Sequence, residues 1–372
     1  MFKRYQLKNY DFKLVLLLLM ISIVGIMAVG SADESQQQRQ VFGVALGMGI
    51  MIVISLIDYS QLLRLYWVYY VLSIGMLGAV LIWGEEVNGA TRWINIPHLI
   101  QFQPSEITKI LLILFYAQFI IKHRERLNTF RIISLCVLLM LPAIVLLYME
   151  PNLSTTILYC VLFCVLMFVG GLSYKVIGAI LAVAVPSVAV LLYLVMQPGQ
   201  TLIRGYQLTR ILAWLNPEQY ADTEAYQQLN SVMAIGSGQL WGKGLNNNVI
   251  ASVKNGNFIS EPETDFIFAV IGEELGFVGS CTVIVLLFLI ALECISIARQ
   301  AKDLSGTIIA SGMAAIIGFQ SFMNIAVATM IMPNTGIPLP FVSSGLTSLV
   351  SLFIGMGFVL NVRLQKKKNY YR

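Results

Sequence analysis

Apolar runs of roughly twenty residues recur along this chain, and that recurrence limits its fold more than any other feature. A bilayer hydrocarbon core of about 30 Å asks for about 20 apolar residues per helix. In lipid, a spanning segment must also satisfy its own backbone hydrogen bonds. On that scale ten spans are expected, near 12–31, 41–57, 65–84, 104–121, 132–149, 153–169, 176–196, 265–295, 307–331 and 342–362. The residue balance agrees: 58% of the chain is hydrophobic and 12% charged, where soluble domains carry about 25% charge. The expected fold class is therefore an all-α polytopic membrane protein, a single membrane domain over residues 1–372, with a large loop between spans seven and eight. The first run is expected to stay as a span: no small-residue cleavage site follows it, and further spans do.

Basic residues set the orientation. With the N-terminus in the cytoplasm, the inside segments hold seventeen of the 24 Lys and Arg, among them Lys3, Arg4, Arg124, Arg126, Lys302 and Arg363. The outside holds six, Arg39, Arg92, Arg204, Arg210, Lys243 and Lys254, and Lys109 falls within a span. An even number of spans puts both termini in the cytoplasm. The net charge of +5 is then an orientation signal that also meets anionic lipid, and it calls for no nucleic-acid partner. Two outside segments, 85–103 and 197–264, exceed ordinary connectors. Their Trp93, Trp214 and Trp241 favour ordered structure along the membrane surface.

Catalytic classes narrow quickly. The five cysteines lie in apolar runs, with no clustered His or Cys to complete a zinc set. Two histidines, His98 and His123, give little footing for a Ser-His-Asp or Cys-His mechanism. An ionisable group inside a span, by contrast, is a site candidate. "FQPSEITKI" (102–110) reads as a helix start with Pro104 in the first position and Glu106 in the first turn, and Glu106 and Lys109 stand three apart. "EPETDFIFAVIGEELG" (261–276) carries five of the 19 carboxylates at the mouth of an apolar helix. Thr264 is the expected N-cap and Asp265 a first-turn acid. Asp265, Ala269, Gly272, Gly276 and Gly279 form one small-residue stripe that would allow close helix approach. Glu273 and Glu274 point about 80° and about 180° away from it at 100° per residue, toward partners expected near the middle of the bundle. "AIGSGQLWGKGL" (234–245) is a turn-rich loop and no dinucleotide fingerprint. The Pro/Gly-broken "MPNTGIPLPFVSSG" (332–345) is expected to be re-entrant at the outer face, since broken backbone at membrane depth must be buried in protein or line a cavity.

Six stretches in order, "GATRW" (89–93), "FQPSEITK" (102–109), "YQLTRI" (206–211), "AIGSGQLWGKG" (234–244), "ETDFIFAVIGEELG" (263–276) and "GIPLPFVSSG" (336–345), make the chain resemble the SEDS family, the polytopic proteins of the RodA, FtsW and SpoVE type. The resemblance implies a peptidoglycan glycosyltransferase that polymerises lipid II outside the cytoplasmic membrane, for elongation, division or sporulation. It also implies that Asp265 is the residue tied to catalysis, and that a class B penicillin-binding transpeptidase is the partner. A carboxylate can take the proton of an acceptor sugar hydroxyl, and a departing polyprenyl pyrophosphate needs cations or a divalent metal. Arg92, Lys109 and Arg210 are the candidate cations, Glu106 would orient Lys109, and Gln207 joins them as a substrate-binding candidate. Mg²⁺ or Mn²⁺ would have Asp265 as its candidate ligand, and no organic cofactor is implied. Two stretches depart from the family's habits: "EPNLST" (150–155) where "QPDLGT" is common, and "SSGLTS" (343–348) where "SYGGS" is frequent. A lipid-linked precursor flippase is the rival reading, and a scaffold for a partner the third. A flippase needs polar groups through the whole bilayer depth, whereas most candidates here cluster at the outer face, with Glu273 and Glu274 as the exceptions.

Overall fold

The computed structural model describes residues 9–87, 90–96, 100–179, 205–246 and 258–366, together with positions 182, 186, 190 and 193. Its elements, in chain order, are α1 (Phe12–Ala32), α2 (Glu34–Ser55), the short α3 (Tyr59–Leu62), α4 (Tyr66–Trp83), β1 (Glu85–Val87), β2 (Ala90–Ile96), β3 (Ile100–Phe102), α5 (Pro104–Lys122), α6 (Phe130–Met149), α7 (Leu153–Val169), α8 (Gly205–Leu215), α9 (Tyr226–Ser237), α10 (Ile267–Arg299), α11 (Leu304–Ala328) and α12 (Leu346–Leu364). Among the described residues, eight helical segments are long and apolar enough to cross a membrane, and α7 is a shorter apolar helix. The expected seventh span, 176–196, lies largely outside the described residues, although 174–179 are helical.

Local chemistry explains most boundaries. Asp11 caps α1 by accepting from Leu14 N at 3.1 Å, and Asp303 caps α11 by accepting from Gly306 N at 2.8 Å. Pro104 starts α5 at its first turn, as its fixed φ favours. The second helix departs from expectation: it begins at Glu34, not near 41, because Asp33 caps it through Ser35 N at 2.9 Å and the polar "ESQQQRQ" is helical. Gln40 in that stretch is buried and donates to Val342 O and Ser343 O, at 3.3 Å each.

α5, α11 and α12 are mostly buried, whereas α4 and α6 present most of their length outward. Small residues allow the tight contacts. A Cβ on Gly25 would lie 2.7 Å from Phe341 O, and one on Gly47 would overlap the Phe353 ring at 2.3 Å. The segment 85–103 is a small antiparallel meander in the order β1-β2-β3, pairing Glu85 with Trp93 and Ile94 with Phe102. It is the one β element in an otherwise helical set of described residues.

Two polar layers close the bundle. One joins the ends of α5, α7, α10 and α11 to the meander, α8, α9 and the segment 329–345. The other joins the opposite ends. There Tyr59 donates to Asp303 Oδ1 at 2.8 Å, and Asn361 Oδ1 accepts from Tyr59 N at 3.0 Å. Asn361 Nδ2 donates to Ser55 O at 2.6 Å, and Gln365 Nε2 to Asp58 Oδ1 at 3.0 Å. Arg363 pairs with Asp11 at 3.4 Å.

Candidate active site at the polar end of α10

Asp265 lies just before α10, whose N-cap is Phe266 and has no side-chain cap. This corrects the expected capping role of Thr264, whose Oγ1 donates back to Glu261 O at 3.0 Å. The turn is held by its carbonyls. Ser344 N donates to Glu263 O at 2.9 Å, Ser343 Oγ to Thr264 O at 2.7 Å, and Asn324 Nδ2 to Asp265 O at 2.8 Å. Three consecutive carbonyls are thus fixed from α11 and the loop before α12, and the Asp265 side chain is spared for other work.

That side chain faces the 332–345 segment. A Cβ on Gly336 (φ 68) would lie 3.2 Å from Asp265 Oδ2 and 3.8 Å from Arg92 Nη1, so carboxylate and guanidinium flank one point. Glycine suits that point twice over, through its positive φ and the missing side chain. Burial raises the Asp265 pKa to about 6, aided by the like charges of Glu261 and Glu263 and opposed by Arg92 and Arg210. The carboxyl therefore changes charge near neutrality.

The two arginines reach the site from different elements. Arg92, on β2, donates through Nη2 to Pro151 O. Arg210, on α8, donates through Nη1 to Asn334 O at 3.2 Å. α8 and α9 are docked on the end of α11: Trp214 Nε1 donates to Met330 O at 3.1 Å, Gln228 Nε2 to Val327 O at 2.9 Å and Met332 O at 2.8 Å, and Ser231 Oγ to Ala328 O at 2.7 Å. The backbone of Gln207 lies in α8, and its side chain falls outside the described set.

Glu106 and Lys109 form a second, deeper layer. Both are buried, and Lys109 Nζ donates to Glu106 Oε2 at 2.7 Å and Gln320 Oε1 at 3.0 Å. Gln320 Nε2 in turn donates to Pro338 O at 3.0 Å. Breaking one partner of a buried pair is costly, so this relay fixes the height of the loop that carries Gly336. Asn324 repeats the device one helical turn on, donating to Ile337 O at 2.7 Å. Gln320 and Asn324 were not among the sequence candidates. Two amides four apart in an apolar helix were the available signal.

At the corner between α6 and α7, Glu150 and Asn152 are both buried. Asn152 Oδ1 accepts from Thr155 N at 3.4 Å and caps α7. Burial pushes the Glu150 carboxyl up to about 8, against the pull of Arg92. Ser154 Oγ donates to Thr335 O at 2.9 Å, which ties this corner to the residue beside Gly336.

Glu273 and Glu274 have partners at this end of the bundle, not near its middle. Lys243 pairs with Glu273 at 2.7 Å, and Ser31 Oγ donates to Glu274 Oε1 at 2.6 Å at the end of α1. Both lie on the short first segment of α10, before its break at Gly276 (φ 65, ψ −161), where the turn after α9 and the end of α1 supply their partners. The turn after α9 fills the break: Phe277 N donates to Gln239 O at 2.7 Å, Val278 N to Leu240 O at 3.1 Å, and Lys243 N to Glu273 O at 3.0 Å. The small-residue stripe serves this contact. A Cβ on Gly238 would lie 1.9 Å from Gly272 O, and one on Gly242 would lie 2.1 Å from Glu274 O.

The family model for FtsW, RodA and SpoVE, described as "Cell cycle protein", matches residues 8–368. The chain belongs to this family. Among curated relatives, it is 32% identical to the peptidoglycan glycosyltransferase MrdB of Escherichia coli K12 over 358 residues, covering 95% of this chain and 92% of that one. Among solved structures, it is similar to a chain from work on the structural coordination of polymerization and crosslinking by a peptidoglycan synthase complex, with TM-score 0.78, 29% identity and coverage of 95% and 97%. It is also similar to the rod shape determining protein RodA of Thermus thermophilus, with TM-score 0.70, 28% identity and coverage of 97% and 98%. The RodA/FtsW-type polytopic fold expected from the six stretches is thus established. In this member of the family, four of those stretches converge on one place: "GATRW" brings Arg92, "YQLTRI" brings Arg210, "ETDF" brings Asp265 and "GIPLPFVSSG" brings Gly336 and Ser343.

Proposed function

We propose that this chain is a peptidoglycan glycosyltransferase that polymerises lipid II outside the cytoplasmic membrane, with Asp265 as general base. The observation that carries the reading is a carboxylate raised to about 6 beside two arginine side chains, on a turn held rigid by its backbone. A general base near the working pH is efficient, and cations beside it suit a reaction that releases pyrophosphate.

In the reaction, the acceptor sugar hydroxyl attacks the anomeric carbon of the donor. Its proton passes to Asp265, and the bond from that carbon to the phosphate oxygen breaks. The bonding pair leaves with the polyprenyl pyrophosphate. Arg92 and Arg210 offset the charge that develops there, and Gln207 is a further substrate contact. Glu106 and Lys109 act one layer below, positioning the loop that faces Asp265. Among the described residues no three His, Cys, Asp or Glu side chains cluster as a metal site. A Mg²⁺ or Mn²⁺ ion carried on the phosphates needs only one or two protein carboxylates, and Asp265 is the one placed to meet it, where the ion would add charge neutralisation.

The excess of basic residues in one set of loops supports cytoplasmic termini, which puts the Asp265 end outside. A class B penicillin-binding transpeptidase is the proposed partner, since no S-x-x-K with K-T-G domain exists in this sequence. The test is product analysis: purified protein supplied with labelled lipid II yields glycan chains, and Asp265→Asn yields none. Chains made by that variant would remove Asp265 from the mechanism. Lipid II moved across a bilayer without chain formation would favour the flippase.

A further inference from the structure

Beside Arg210, a cavity of about 420 Å³ is lined by Arg210, Asp222, Thr223, Glu224, Tyr226, Gln227 and Asn334. That volume is within the range of ligand-sized clefts, roughly 300–1,000 Å³. We propose that it binds the sugars of the growing glycan next to the one that reacts. This rests on the polymerase reading above and names a subsite for it.

Position is the first argument. Asn334 lines the cavity, and Gly336, two residues on, flanks the Asp265 carboxylate. Two residues of chain span at most about 7 Å, so cavity and base are neighbours along one loop. Arg210 borders both, lining the cavity and acting electrostatically on Asp265. The cavity is also built from α9 and the segment before it, outside the spanning helices, where a polymer growing away from the membrane must pass.

Lining chemistry is the second argument. Two carboxylates against one guanidinium make the cavity a poor host for pyrophosphate, which would meet Asp222 and Glu224. Sugar hydroxyls and acetamido groups are well matched: carboxylates and amide oxygens accept from hydroxyls, amide N–H groups donate to carbonyls, and a tyrosine ring offers a face to sugar C–H groups. Part of the wall is preset. Glu224 accepts from the Thr223 and Thr209 hydroxyls, which lowers its pKa together with Arg210. Gln227 donates to Ser260 Oγ, and Asn334 Nδ2 donates to Gln227 Oε1 at 3.5 Å. Tyr226 lines the cavity and is 39% exposed.

Two measurements test the subsite separately from the chemistry. The first uses full-length Asp265→Asn protein in detergent and N-acetylglucosamine tetramer as probe, with binding read by saturation-transfer NMR. The tetramer binds, Tyr226→Ala with Asp222→Asn weakens binding at least tenfold, and Tyr226→Phe keeps it. The second reads chain length on lipid II with active protein: Tyr226→Ala shortens the mean chain several-fold per lipid II consumed, and Tyr226→Phe does not. Unchanged binding and unchanged length in Tyr226→Ala would overturn the subsite. Equal losses in Tyr226→Phe and Tyr226→Ala would also overturn it, because the ring would then not be the contact. If the wild-type protein binds tetramer yet makes no glycan, the polymerase reading fails while the cavity's sugar preference stands.

Discussion

At the end of the bundle remote from Asp265, Tyr59 donates to Asp303, Asn361 bridges Tyr59 N and Ser55 O, and Gln365 reaches Asp58. At the Asp265 end, Ser105 Oγ, Glu150 Oε1, Asn152 Nδ2, Asn324 Oδ1 and Thr335 Oγ1 are buried without a hydrogen-bond partner among the described residues. Both layers use amides, hydroxyls and carboxylates, but among the described residues the first leaves only Arg363 Nε without a hydrogen bond, and the second leaves these five atoms. Unpartnered buried polar groups cost stability, and they concentrate where a protein must receive something else. One layer holds the helices together. The other leaves polar groups uncommitted around Asp265.

That contrast can be broken most sharply at Asp265. Asp265→Asn removes polymerisation by a factor of about 10²–10⁴, the range of a general base, measured as glycan formed from labelled lipid II. The same variant melts at a higher temperature than wild type at pH 7.5. The sign follows from linkage: a carboxylate whose folded pKa is raised to about 6 costs stability when ionised, and the cost fades as pH falls through that value. The gain in melting temperature therefore shrinks at pH 5. Equal melting at both pH values would show that the site stores no such strain.

Gly336→Ala comes next. A methyl 3.2 Å from Asp265 Oδ2 on a residue with φ 68 strains the loop and crowds the base. Turnover falls by about an order of magnitude, as small misplacements at reacting groups do, while purified yield is retained. At the opposite layer, Asn361→Leu strips partners from Tyr59 N and Ser55 O. It lowers stability by about 1–3 kcal/mol in detergent melts, and the surviving folded protein keeps its rate per molecule. A rate loss there equal to that of Gly336→Ala would erase the distinction between the two layers.

The pH profile sharpens the Asp265 layer further. The rate falls tenfold per unit below about pH 6, as Asp265 takes up its proton. The smallest effect is expected at Glu150. With its carboxyl held at about 8, it is mostly protonated at neutral pH and stands in for a glutamine. Glu150→Gln changes the rate by less than about threefold, since a neutral hydrogen-bonding group replaces another. A large loss would make Glu150 a working acid, and "EPNLST" a displaced carboxylate.

Much of the fold could be read in advance because the bilayer imposes a simple length rule: α6, α7 and α12 begin within a few residues of their expected starts. Pro104 and the basic loops were equally local signals. The start of α2 was missed because polar residues that bind another segment, as Gln40 does, look like loop. In the site, Asp265, Arg92 and Arg210 were legible through motifs. Their assembly was not, because it depends on contacts such as Arg92 with Pro151, 59 residues apart, and Arg210 with Asn334, 124 apart. Glu274 finds Ser31 across 243 residues, a pairing no helical wheel can anticipate.

At Gly276 the α10 backbone leaves helical geometry, and amides that would otherwise lack acceptors are taken up by Gln239 and Leu240. The turn after α9 is in effect a splint across a fracture. Pulling it off would strand bare amides at the edge of the bilayer, which lipid cannot solvate. The splint and the short helical rod that follows Asp265 must therefore shift together or stay put together, so any force on the turn after α9 is delivered to the Asp265 carboxylate through a joint one residue wide.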